Sequence, residues 1–205
     1  MRGDLGMLVV GVNGSPRKDG NTAFLLNLAL EAAKSLGAET VLIHAVDALS
    51  GQENPFCVVC SNPCEGRCSK GNALGEAFDI LRRADGILLG SPVYFGTVSA
   101  QLKAFWDRTR ILRREKALFN VVGGALTVGA ARFGGQETTI KALFDMMIIQ
   151  GMIIVGNGYR DADAGHHGSC AQVPSDKDDF AIERAKRLGL RVAEVAYATM
   201  SLRRR

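Results

Sequence analysis

Five short apolar runs, each followed by a segment with helical spacing, constrain this 205-residue chain more than anything else in it. The runs cover residues 7–12, 40–44, 86–90, 123–128 and 152–155. Each is continuous rather than alternating, the pattern of a strand buried on both faces. Residues 21–36 carry Leu25, Leu28, Ala32 and Leu36 on one stripe. Further helices are predicted over 73–84, 99–112, 137–149 and 176–200. Strands alternating with helices predict an α/β fold: a doubly wound, five-stranded parallel sheet with helices on both faces. The polar, Gly-rich stretch 156–174 is expected to be a long loop. No repeat or linker divides the chain, so residues 1–205 read as one domain with a Cys-rich insertion at about 54–70. Ligands of such sheets bind beyond the carboxyl ends of the strands. The loops after strands one, three and four are therefore the ones to read for function, with the loop after strand two at the same edge.

Hydrophobic residues make up 47% and charged residues 22%, as in a soluble globular protein. The net charge of +4 is partly the tail Arg203, Arg204 and Arg205, read as a solvated helix end rather than a nucleic-acid or membrane contact. No apolar run reaches the roughly 18 residues of a membrane span. The apolar stretch 7–12 is too short for a signal peptide and runs into a Gly turn. The expectation is a cytoplasmic protein with neither nucleic acid nor membrane as partner. In a reducing compartment, clustered cysteines more often ligate metal than form disulfides.

Gly14, Ser15, Pro16 and Arg17 lie between the first strand and a helix start. Backbone N–H groups and the positive end of the helix dipole meet there, which makes an anion site. Ser15, Asn21 and Thr22 add neutral donors and Arg17 a charge-assisted one. The Walker pattern is absent, and Gly11 and Gly14 have the wrong spacing for the dinucleotide fingerprint. A single terminal phosphate therefore fits better than a triphosphate or a pyrophosphate. In the loop after strand three, Tyr94 and Phe95 can wall a flat ring, and Gly96 permits close backbone approach.

Gly-Ser-Pro-Arg-Lys-x-Gly-Asn-Thr after the first strand, Ser-Pro-Val-Tyr-Phe-Gly at 91–96 and Gly-Gly-Gln-Glu-Thr-Thr at 134–139 together resemble the flavodoxin-like, NADPH-dependent FMN reductase group. The likeness covers roughly residues 7–156. It implies strand order 2-1-3-4-5 with FMN at the switch point. By this resemblance Ser15, Arg17, Asn21 and Thr22 would hold the FMN phosphate. Pro92, Val93, Tyr94, Phe95 and Gly96 would border the isoalloxazine, and Gly129, Ala130, Ala131 and Arg132 would approach it from the next loop.

Four cysteines, Cys57, Cys60, Cys64 and Cys68, fall within twelve residues as Cys-x2-Cys-x3-Cys-x3-Cys. A structural zinc site usually spaces two Cys-x2-Cys knuckles by a dozen or more residues. A compact run suits an iron–sulfur cluster, with [4Fe-4S] favoured over [2Fe-2S]. Zinc and free redox thiols stay open as alternatives. The loop also resembles that of the iron–sulfur flavoproteins, a branch of the same group, with x3 where x2 is common before the third Cys. Cys170 reads as incidental, and His166 and His167 as a solvated loop pair.

The reading is an oxidoreductase that binds FMN and a [4Fe-4S] cluster. It would carry electrons between a ferredoxin-like or nicotinamide donor, NAD(P)H, and an acceptor. Strand two lies at the sheet margin, so a homodimer or homotetramer is expected to bring cluster and flavin together. Two rivals remain: an NAD(P)H-dependent FMN or quinone reductase without a cluster, and a metal-stabilised interaction module that binds no flavin.

Overall fold

The computed structural model describes residues 6–203. In chain order the elements are β1 Leu8–Asn13, α1 Asn21–Ser35, β2 Glu39–His44, α2 Ala45–Ala48, α3 Ala73–Arg83 and β3 Gly86–Pro92. They continue as α4 Ala100–Asp107, α5 Arg110–Glu115, β4 Val122–Gly129, α6 Gln136–Ile148, β5 Ile153–Ile154, β6 Ser169–Gln172 and α7 Asp179–Thr199. The sheet is parallel in the order β2-β1-β3-β4-β5. Its three inner strands, β1, β3 and β4, are buried almost end to end, as their unbroken apolar runs require.

Helices cover both faces. On one, α1 and α7 pack over Val9, Leu88, Val122 and Leu126. They approach so closely that a Cβ on Gly189 would lie 1.9 Å from the Ala29 carbonyl oxygen, which excludes any larger residue there. On the other face, α3, α4, α5 and α6 cover Val10, Ile87, Leu89 and Ala125. Phe105 packs on Phe78 with ring centroids 5.9 Å apart, and Trp106 donates Nε1–H to the Met146 carbonyl at 3.0 Å.

Three expectations are corrected. The stretch 156–174 is not all loop, because β6 lies within it and pairs with β4 at Leu126–Gly129, beyond the pairing of β5 with Val122 and Gly123. Two segments thus share the fifth position of the sheet, making six strands. Buried Asn157 closes the excursion between them, donating to Gly168 O at 2.8 Å and accepting from His166 N at 2.6 Å. β6 reads Ser-Cys-Ala-Gln and carries no β-branched or aromatic signal. It is held instead by α7, through Ser169 Oγ to Ala181 O and Gln172 N to Asp178 Oδ2. The helix expected over 99–112 is broken at Arg108 and Thr109, where Thr109 Oγ1 donates to Trp106 O at 2.6 Å. Finally, Arg203 is not a solvated tail cation. It pairs with Asp85 at 2.6 Å, and the two side chains are 5% and 2% exposed. Arg204, Arg205 and residues 1–5 lie outside the described residues.

Candidate flavin and cysteine sites

The turn after β1 is organised by a residue that sequence reasoning passed over. Asn13 is fully buried. Its Oδ1 accepts from Ser15 N at 3.0 Å, and its Nδ2 donates to Arg17 O at 3.4 Å and pairs with His44 Nδ1 at 3.0 Å. Ser15 Oγ in turn accepts from Arg17 N at 3.1 Å, so Ser15 spends an acceptor lone pair inside the turn. His44, at the end of β2, thereby has a hydrogen-bond partner. The turn leads into α1, whose N-cap is Gly20 with no side-chain cap bond and no acidic residue in the first turn. The first N–H groups of a helix need acceptors from outside it. Arg17 beside them is exposed and forms no ion pair among the described residues, whereas Lys18 is taken by Asp47. Thr22 is buried. The Asn21 side-chain oxygen is engaged by Ser175, which donates both N–H and Oγ–H to it at 2.8 and 3.0 Å. Asn21 therefore ties the loop after β6 to the start of α1, with only its amide hydrogens left to give.

Ser99 binds the next loop to this turn: its Oγ donates to Gly14 O, and Gly14 N donates to Gly90 O at 2.8 Å. Tyr94 and Thr97 exchange backbone hydrogen bonds at 2.9 and 3.1 Å around Phe95 and Gly96. Both central residues have positive φ, +49° and +78°, the geometry of a tight primed turn. Phe95 sits there with its ring completely in solvent, and Tyr94 is 45% exposed. A bulky residue in the left-handed region costs roughly 1 kcal/mol, and such strain clusters at functional sites. Pro92 and Val93 are half-buried at the base of the turn.

The loop after β4 repeats the device. Phe133 has φ +61° and is almost wholly exposed, a second bare ring that the sequence reading missed. The available signal was an aromatic residue followed by glycine just past a strand, as at Phe95. Ala130, Ala131 and Arg132 are exposed and Gly129 is buried. Gln136, also missed, is buried and donates Nε2–H to Ala131 O at 2.7 Å, shaping the loop from within. Thr138 Oγ1 donates to Gly96 O at 2.8 Å, and a Cβ on Gly135 would lie 2.8 Å from Gly96 Cα. The two ring-bearing loops are thus in direct contact, and Ser99 joins the first of them to the β1 turn.

The family model for NADPH-dependent FMN reductase matches residues 7–167. The chain belongs to that family. As a member of the FMN reductase family it is an FMN-binding oxidoreductase. An iron–sulfur flavoprotein of Methanocaldococcus jannaschii is 46% identical over 193 residues, covering 92% of this chain and 97% of the relative. One from Methanosarcina thermophila is 38% identical over 92% of this chain and 95% of its own length. A flavodoxin-like, WrbA-like protein of Agrobacterium tumefaciens has the same fold, with TM-score 0.68, 23% identity and coverage of 94% and 98%.

The cysteine loop follows β2 and α2. Cys57, Cys64 and Cys68 are half-buried, Cys60 is exposed, and all four are free thiols. Among the described residues no three His, Cys, Asp or Glu side chains converge to hold a metal ion. The donor set still suits an iron–sulfur centre in kind and number, since such centres take four thiolates. Cys64 and Cys68 pack partly against the core. Cys170 stands apart in β6; burial, then the charge of Glu137, pushes its thiol up to about 11. His166 and His167 lie against Phe180 and Phe144 at ring distances of 6.4 and 6.1 Å. Among the described residues no helix is long and apolar enough to cross a membrane.

Proposed function

We propose that this FMN reductase family member is an electron-transfer flavoprotein with FMN at the three linked loops and a [4Fe-4S] cluster on Cys57, Cys60, Cys64 and Cys68. The observation that carries the flavin half is the uncapped start of α1 beside an exposed Arg17 with no ion pair among the described residues, tied by Ser99 to a turn that exposes Phe95. Ser15, Arg17, Asn21 and Thr22 would hold the phosphate, Asn21 through its amide hydrogens. Pro92, Val93, Tyr94, Phe95 and Gly96 would border the ring, with Gly129, Ala130, Ala131 and Arg132 across from them. Tyr94 and Phe95 exclude water from one side of a flat ring, and backbone N–H groups of the loop orient its polar edge. Bound flavin supplies two-electron storage, and a cluster single-electron exchange.

The cluster half is supported by four free thiols within twelve residues and by the two iron–sulfur flavoprotein relatives. The electron donor would be a ferredoxin-like protein or NAD(P)H. The cysteine loop follows the marginal strand β2, so assembly into a homodimer or homotetramer would bring it to a neighbour's flavin loops; a monomer by light scattering would contradict that. Anaerobic purification with flavin, iron and sulfide counts tests the whole reading. Flavin with four iron and four sulfide per chain is expected. Cys60→Ala is expected to lose iron and keep flavin. Flavin without iron would favour the reductase that has no cluster.

A further inference from the structure

Arg108, at the joint between α4 and α5, is only 6% exposed, yet among the described residues its side-chain hydrogen bonds go to neutral oxygens. Nε donates to Pro55 O at 2.9 Å, and Nη2 donates to Phe56 O at 3.2 Å and to Asn54 O. These are the three carbonyls that lead into Cys57. Nη1 donates to Gln52 Oε1 at 2.9 Å, and Gln52 Nε2 donates to Cys68 O at 3.1 Å. The entrance and the exit of the cysteine loop are therefore tied to one guanidinium through one amide. Asn72 Nδ2 reinforces the exit at 3.0 Å from the same Cys68 carbonyl. Residues 57–60 between these ties belong to no helix or strand.

A buried charge without a carboxylate partner is costly, and an apolar side chain would fill the joint without that cost. What only arginine provides is a planar fork of five N–H donors that can span three successive carbonyls and an amide. We infer that Arg108 and Gln52 are a positioning pair that clasps the four-cysteine loop shut, so that thiolate ligation of a metal centre requires rearrangement only of the residues between Cys57 and Cys68. The inference rests on the proposed role of this loop as a cluster site. Loop closure is then met during folding rather than during metal binding. Outer partners that orient metal ligands typically govern about 10–100-fold in affinity.

The test uses the full-length, iron-free, FMN-loaded chain under anaerobic reducing conditions, titrated with Co²⁺ alone. Thiolate-to-cobalt charge-transfer absorption reads ligation, and FMN fluorescence and the urea midpoint are measured on the same samples. Wild type is expected to show the charge-transfer band. Arg108→Lys, which keeps the charge but loses the fork, and Gln52→Met are each expected to weaken Co²⁺ about 10–100-fold with FMN affinity unchanged. Gln52 is half-exposed and decides the matter if Arg108→Lys does not fold. Variants that bind Co²⁺ as wild type does, with or without a lowered urea midpoint, overturn the clasp and leave the cluster reading standing. A wild-type chain with no charge-transfer band overturns both.

Discussion

Replacing Asn13 by Ala removes the residue on which the β1 turn is built. The side chain is fully buried, and its two shorter hydrogen bonds, from Ser15 N and to His44 Nδ1, are both 3.0 Å long. The bond to His44 contributes roughly 1 kcal/mol, and losing the bond from Ser15 leaves a buried donor without an acceptor, at a cost of about 1–3 kcal/mol. Ser15 N–H is that donor, since Ser15 is 6% exposed. The expected loss of apoprotein stability is therefore about 2–4 kcal/mol. The same bonds fix the path of the chain from Ser15 to Arg17, and with it where the Arg17 side chain and the start of α1 lie. If about 1.4 kcal/mol of that loss falls on phosphate contacts, FMN affinity drops about tenfold. Urea denaturation of the apoprotein gives the first quantity, and fluorescence titration with FMN the second. A destabilised Asn13→Ala variant that binds FMN as tightly as the wild type would refute the link between this turn and the cofactor.

Removing the Thr138 hydroxyl, as in Thr138→Val, breaks the tie to Gly96 O and is expected to weaken FMN binding by about 1 kcal/mol, read by the same titration. Arg203→Met leaves the carboxylate of Asp85 buried without its 2.6 Å partner, and a loss of about 3–5 kcal/mol in urea midpoint experiments is expected. The Cys170 thiol is raised from 9.0 to about 11, so it should alkylate more slowly than Cys60 at pH 8 in a mass-spectrometric time course. Because the folded value lies above the unfolded one, its contribution to stability is full below pH 9 and is lost as pH rises toward 11.

The inner strands β1, β3 and β4 were legible because burial on both faces leaves continuous apolar runs, while their order was implied by the resemblance to the FMN reductase group. β6 was not legible, because Ser169, Cys170, Ala171 and Gln172 owe their conformation to Asp178, the N-cap of α7, and to Ala181 on that helix, a tertiary effect with no local period. The three loops were singled out in the sequence by residue types that can face a ligand, such as Arg17 and Phe95, and by the family resemblance. The residues that shape those loops from inside, Asn13, Ser99 and Gln136, are ordinary polar residues in sequence and gain meaning only from burial. Asn21 shows the converse: its side-chain oxygen is committed to Ser175, 154 positions away. The tail misled because Arg203 follows a helix end like a solvent cation, yet the chain folds it back onto Asp85.

On the proposed function, the start of α1 would bind the phosphate end of the flavin. Parallel calorimetric titrations of the apoprotein with FMN and with riboflavin, which lacks the phosphate, test it most directly. Charge-assisted hydrogen bonds contribute about 1.5–3 kcal/mol each, so two of them predict FMN binding at least about 100-fold tighter, with one FMN per chain. Equal affinities for the two flavins would contradict the account.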